Sequence, residues 1–189
     1  MINVFIRKIE KLSDDEIRIV TSSLSKSAKA RLDRKRNEAL RLASLCALSL
    51  IPKDMLFDLE YTESGIPYFK TMDVDISISH SNTYSTVAIS DHAVGIDVED
   101  ISKEEKPALF TRFFTENEQN ELHNGISPIE IWTKKEALFK YLKNDSINFV
   151  SLDTAQCGVC FDTTQLEGAV LTVCTEKDEC ISLIHNFKF

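Results

Sequence analysis

Residues 75–99 read "DISISHSNTYSTVAISDHAVGIDVE", and the fold turns on how this stretch is divided. Turn-forming residues at "SNTY" (81–84) and "DHA" (91–93) separate three short runs in which β-branched and polar residues alternate, the signature of three short strands. Side chains on a strand alternate between its faces. In the last run Val94, Ile96 and Val98 therefore point to a core, while Gly95, Asp97 and Glu99 share the opposite face. In the first run Ser77, Ser79 and Ser81 share a face, and Ile76, Ile78 and His80 share the other. Two carboxylates so close repel unless a cation or strong donors lie between them. A solvated strand edge would carry the same spacing, and a lone histidine on an apolar face is commonly a hydrogen-bonded core residue, so neither feature defines a site by itself.

Towards the C-terminus, "ALFTRFFTENEQNEL" (108–122) and "SPIEIWTKKEALFKYL" (127–142) both have a helical pattern, the second with Ser127 and Glu130 in capping-box spacing. Its apolar face runs through Ile131, Leu138, Tyr141 and Leu142, which aligns Trp132, Glu136 and Lys140 at successive i, i+4 steps on another face. A surface ion pair would have the same spacing. From Phe149 onward the chain alternates like β-hairpins. Towards the N-terminus, "NVFIRKI" (3–9) predicts a first strand and a helix follows from about Asp14. In "NEALRLASLCALSLI" (37–51), Leu40, Ala43, Ala47 and Leu50 form a helical stripe that Pro52 closes, and "SGIPYF" (64–69) has turn chemistry. Helices followed by strands thus occur twice, which predicts an α+β fold of two halves, residues 1–100 and 101–189.

The chain's 189 residues, 43% of them hydrophobic, can bury a proper core. Charges arrive by Arg7, and the longest apolar stretch, "LASLCALSLI" (42–51), is too short to span a bilayer, so a cytoplasmic protein without a membrane partner is expected. Five cysteines predict reduced thiols. "CGVC" (157–160), with Cys174 and Cys180, has some look of a zinc site, but the second pair has the wrong spacing for a zinc ribbon, and packing thiols are expected. A net charge of −8 argues against nucleic acid as a partner. From Lys26 to Arg41, however, seven basic residues face two acidic ones, a net +5 that leaves −13 for the rest of the chain. A local anion site fits that window.

Taken in order, "GIPYF" (65–69), "SISHS" (77–81), "GIDVE" (95–99), "RFFTENE" (112–118) and "WTKKEALFK" (132–140) resemble the motif series of the 4′-phosphopantetheinyl transferase superfamily, the Sfp type in particular, from about residue 25 to 143. The resemblance implies the α+β 4′-phosphopantetheinyl transferase fold, with two similar halves on one chain as a pseudo-dimer and the active site between them. It implies transfer of the phosphopantetheine arm of coenzyme A to a serine of an acyl or peptidyl carrier protein, with release of 3′,5′-ADP. By the same resemblance Asp97, Glu99 and Glu136 would hold Mg²⁺ and Lys140 would pair with phosphate oxygens. Glu136 would serve as the base, directly or through water. Ser79 and His80 would contact the nucleotide's phosphates, and Lys26, Lys29 and Arg41 would lie near the 3′-phosphate. On a single helix over 26–41 these three cations would fall within about a third of the circumference. A monomer is expected, since fused halves need no partner to build the site. One departure stands out: Ile66 occupies the place of a lysine in many relatives, which implies weaker coenzyme A binding. It also motivates an alternative reading, a coenzyme A- or carrier-binding protein of this fold without turnover. A carboxylate-metal phosphohydrolase, a third reading, would leave the basic window unexplained.

Overall fold

Strand β1 (Ile2–Lys8) lies inside the main sheet, whose order is β4 (Asp75–His80), β5 (Tyr84–Ser90), β1, β9 (Ile181–Leu183). The computed structural model describes residues 1–102, 108, 111–176 and 181–183. β4 and β5 form the antiparallel hairpin expected of "SISHSNTYSTVAIS", β5 pairs antiparallel with β1 from Ile2↔Ser90 to Lys8↔Tyr84, and β9 adds in parallel along Ile2↔Ile181. A second sheet has the order β6 (Gly95–Asp100), β8 (Ala169–Thr175), β7 (Cys160–Leu166), antiparallel throughout. A two-stranded ribbon pairs β2 (Leu59–Tyr61) with β3 (Pro67–Phe69).

The two larger sheets stack face to face. Ile2, Val4, Ile6 and Ala88 of the first pack on Val94, Ile96, Val98, Leu171 and Val173 of the second, all buried. The outer face of the first sheet (Phe5, Ile76, Val87, Ile89) is covered by α1 (Asp14–Ser23), α2 (Lys26–Asp33), α3 (Glu38–Leu48) and the short α4 (Lys53–Leu56), through Val20, Leu32, Ala47 and Leu56. The outer face of the second carries α6 (Pro128–Leu142), with Ile129 and Ile131 on Val170 and with Ala137 and Leu138 on Cys174. α5 (Glu116–His123) precedes α6. The result is a mixed α+β fold of four layers.

The polar side chains of β4 join the sheets at one margin. β4 and β6 are both edge strands of their sheets, and an exposed edge carries unpaired backbone groups. Asp75 Oδ2 accepts the Val94 N–H (2.9 Å), Ser77 Oγ accepts the Ile96 N–H (3.0 Å), and the Ser79 and Ser81 hydroxyls donate to Asp97 and Asp100 (2.7 Å each). The serine face of "SISHS" is thus a seam that satisfies β6.

Several expectations need adjusting. The helix expected from residue 108 begins only at Glu116, where Thr115 and Glu118 make a reciprocal capping box; a 3-10 turn at Thr111–Phe113 precedes it. Residues 109–110 lie outside the described residues. In α3, Ala43 and Ala47 are buried as the stripe requires, but Leu40 is 46% exposed, because the packed face starts at Ala43, whose carbonyl accepts the Ser85 hydroxyl of β5 (2.8 Å). The tail does not simply continue as hairpins: after the β7–β8 hairpin, β9 joins the other sheet. β6 (Gly95–Asp100) is hydrogen-bonded to β8, so the second sheet takes its first strand from before residue 101.

Candidate active site between β6 and α6

α6 crosses β6 at Gly95. A Cβ built there would lie 2.0 Å from the Ala137 carbonyl oxygen and 2.7 Å from the Tyr141 nitrogen, so only glycine lets the helix backbone come this close. The helix starts at Ser127, whose side chain accepts the Glu130 N–H, with Pro128 in the first turn. The Glu130 side chain turns to Lys134 (2.8 Å) and leaves the capping box half made. The helix ends at Lys143, in the left-handed region at φ 46°, whose ammonium is tied to Asp75 and to the Ile76 carbonyl (3.0 Å). Halfway along, Lys135, wholly buried, pairs with the equally buried Glu118 (2.8 Å) and donates to the Leu152 carbonyl.

These anchors aim the Trp132–Glu136–Lys140 stripe at the carboxylates of β6. The Trp132 indole N–H donates to Glu99 Oε1 (3.1 Å). Lys140 Nζ donates to Asp97 Oδ1 (2.6 Å) and to Ser79 Oγ (2.8 Å). Glu136 stands on the same stripe, one turn from each. Phe149 meets Trp132 edge-on at 5.4 Å and Phe113 lies 6.0 Å from it, so the indole is fixed by aromatic contacts as well. Asp97 is 4% and Glu99 9% exposed. Asp97 Oδ2 is buried without a hydrogen-bond partner, a costly state for a carboxylate oxygen unless something is meant to bind it. Oxygen donors of this kind suit a hard divalent cation that takes its remaining ligands from water or phosphate. Among the described residues, no three carboxylate, imidazole or thiolate groups converge closely enough to hold a metal by themselves.

A cleft leads away from this point. Glu136, Phe139, Lys140, Lys143 and Asn144 line one end with Ile66. Across Gly65, Pro67 and Ile78, shared by both ends, the other end is lined by Arg31, Lys35, Tyr61 and His80. Gly65 adopts φ +96°, and the Arg31 guanidinium lies where its Cβ would be, stacked on the Tyr61 ring at 4.7 Å. Burial pushes the Tyr61 hydroxyl up to about 12, with Arg31 opposing. Burial first, then Lys35 and Lys140, holds the His80 imidazole below its ordinary value and keeps it neutral at pH 7.

Residues 93–184 match the family model described as the 4′-phosphopantetheinyl transferase superfamily. A curated protein named 4′-phosphopantetheinyl transferase gsp, from Aneurinibacillus migulanus, is 42% identical over 84 residues, 41% of this chain. The chain spans 35% of that relative's length.

The superfamily match takes in Asp97, Glu99, Glu136 and Lys140, whereas the Arg31, Lys35 and His80 end of the cleft lies outside it. Of the residues singled out from sequence, the structure joins Ser79 and Lys140 to Asp97 and Trp132 to Glu99, puts Glu136 with Lys140 in the lining of the cleft, and places His80 at its far end. Ser79 is committed to Asp97 and Lys140. The basic window is not one helix: α2 ends at Asp33 and α3 starts at Glu38. Arg41 consequently caps the Leu32 carbonyl (2.9 Å) and pairs with Asp33 (3.3 Å), while Lys26 and Lys29 are exposed and stand apart from the cleft-lining residues. Sequence reasoning missed Arg31 and Lys35. Asn37, an N-cap residue whose side chain accepts the Leu40 N–H, was the signal that the helix breaks. Cys46, Cys157, Cys160 and Cys174 are free thiols, that of Cys174 pushed up by burial; Cys180 lies outside the described residues.

Proposed function

We propose that the protein transfers the 4′-phosphopantetheine arm of coenzyme A to a serine hydroxyl of an acyl or peptidyl carrier protein, with Mg²⁺ and with release of 3′,5′-ADP. The observation that carries this reading is the setting of the Trp132–Glu136–Lys140 stripe against Asp97 and Glu99, at one end of a cleft whose other end is basic. Asp97 through Oδ2, Glu99 and Glu136 would hold the metal on the cofactor's pyrophosphate. When bound, Mg²⁺ supplies charge neutralisation for the leaving nucleotide. Lys140 binds the pyrophosphate oxygens, and Arg31, Lys35 and His80 bind the nucleotide's phosphates in place of the more remote Lys26, Lys29 and Arg41. Glu136 accepts the serine proton as the serine oxygen attacks the pantetheine-side phosphorus and the bond from that phosphorus to 3′,5′-ADP breaks.

The fold supports a reading as two similar halves. Apart from the β2–β3 ribbon inserted before β4, β1, the helices after it and the β4–β5 hairpin follow the order of β6, α5–α6 and the β7–β8 hairpin, with the hairpin's second strand beside the first strand in both sheets. On this reading the halves meet near residue 100, and β6, laddered to β8, is counted with the second. Free thiols suit a cytoplasmic enzyme, and two halves on one chain suit a monomer.

The test is conversion of apo-carrier proteins of the fatty-acid and peptide-synthesis types, followed by mass spectrometry. A gain of one phosphopantetheine arm, formed with 3′,5′-ADP and abolished by Glu136→Gln, is expected. Ile66, an apolar residue lining the cleft beside Lys140, favours a second reading, a coenzyme A-binding protein without turnover. Tight coenzyme A binding without conversion of any carrier would establish that one instead.

A further inference from the structure

Three lysines of α6 and its C-cap pair with buried or half-buried carboxylates of other elements, and two of the three pairs are saturated. Glu118 accepts from Thr154 N and Oγ1 on one oxygen and from Lys135 and Thr115 N on the other. Asp75 accepts from Lys143 and Ile76 N on one and from Val94 N on the other. Asp97 differs, because Lys140 and Ser79 share Oδ1 while Oδ2 is buried and empty-handed. The Lys140 side chain, 27% exposed, also lines the cleft, so it has somewhere to go, unlike Lys135.

We infer that Lys140 acts as the resident counter-ion of Asp97 in the ligand-free protein and opposes divalent metal binding until a phosphate-bearing ligand in the cleft draws it away. The inference rests on the functional reading above. A dication at Asp97 Oδ2 would stand within one carboxylate's width of the Lys140 ammonium, in a site from which water is largely excluded, and like charges that close repel strongly. A polyphosphate in the cleft gives the ammonium another anionic partner and frees Asp97. Anion and metal then favour each other's binding, and by linkage the effect is reciprocal. Because phosphate oxygens can also ligate the metal directly, only the ligand-free protein isolates the part played by Lys140.

The experiment measures Mn²⁺ binding by calorimetry and by emission of Trp132, the chain's single tryptophan, whose indole N–H is bonded to Glu99. Wild type and Lys140→Met are each titrated with and without coenzyme A, after circular dichroism establishes that the variant is folded. Without coenzyme A, Lys140→Met should bind Mn²⁺ at least tenfold more tightly than wild type, and coenzyme A should improve its Mn²⁺ affinity by a smaller factor. Equal or weaker Mn²⁺ binding by folded Lys140→Met in the absence of coenzyme A would overturn the inference, whatever happens with the cofactor. Lys140→Arg, which restores the charge, should return weak Mn²⁺ binding. Wild type failing to bind Mn²⁺ even with coenzyme A would instead remove the metal reading, and the inference with it.

Discussion

Gly95→Ala should damage both the fold and the site, and the structure says by how much. Gly95 is required here by space, since the added Cβ would meet the Ala137 carbonyl oxygen at 2.0 Å, where ordinary contact begins at 3.4 Å. Backbone on both sides cannot swing aside, so α6 must withdraw by about 1.4 Å, the difference between those two distances. Lys140 is long and can follow Asp97. Trp132 is wedged between Phe113 and Phe149, and its 3.1 Å bond to Glu99 would open beyond hydrogen-bonding distance. Overpacking of about 1–3 kcal/mol and a lost bond to a charged acceptor of about 1.5–3 kcal/mol together predict a loss of roughly 3–5 kcal/mol. For a chain of this size that lowers Tm by about 6–20 °C. Urea unfolding monitored by Trp132 emission gives the stability, and titration of the native variant with coenzyme A tests whether the site is displaced. A loss below about 1 kcal/mol with unchanged binding would refute the argument that α6 is held against β6 at this point.

Lys135→Met should destabilise by about 3–5 kcal/mol, because it leaves Glu118 buried without its cation; a urea midpoint close to that of wild type would mean the Thr115 and Thr154 donors suffice. Coenzyme A binding should take up a proton in the range between the depressed value of His80 in the free protein and the higher one it would have beside a bound phosphate; affinity should therefore increase as pH falls through that range. Calorimetry in buffers of different ionisation enthalpy measures that uptake, and its absence would remove His80 from the phosphate site. The same depressed value makes the folded protein lose stability as pH drops through the ordinary histidine range, because the unfolded chain binds that proton more readily. An Arg31→Gln, Lys35→Ala double variant should lose about tenfold of any preference for coenzyme A over dephospho-coenzyme A, roughly 1.4 kcal/mol, while Lys26→Ala, Lys29→Ala should keep it. The opposite ranking would return the 3′-phosphate to the exposed lysines.

Much of the fold was legible wherever a local rule was sufficient. The period-two reading of "GIDVE" correctly placed Val94, Ile96 and Val98 in the core, each wholly buried, and put Asp97 and Glu99 on the other face. The i, i+4 reading of α6 correctly put Trp132 and Lys140 on one stripe, and the structure joins each of them to one of those carboxylates. What periodicity could not supply was pairing across distance. No pattern within 95–100 says that β6 ladders with β8 more than 60 residues on, and none says that β9 returns to lie beside β1. The serines of β4 were read as sharing a face, but their work in joining two sheet edges depends on that non-local pairing.

The basic window shows how composition can locate a charge without locating its target. A net +5 over 26–41 is correct for any conformation, but which cations face the cleft depends on helix phase, and phase survives only while the helix is unbroken. Asn37 restarts the helix, so Arg41 belongs to a new one and turns back to close the end of the old, on the Leu32 carbonyl. Within α2, Ala28 and Leu32 are the buried positions, and Arg31 reaches the cleft beside them because Gly65, lacking a Cβ, leaves its guanidinium room over Tyr61. That room is made by a turn more than 30 residues away in sequence. Whether position 31 holds a surface cation or a cleft cation is therefore decided by the loop that also carries Ile66, and substitutions in "SGIPYF" should act on anion binding through Arg31 as well as directly.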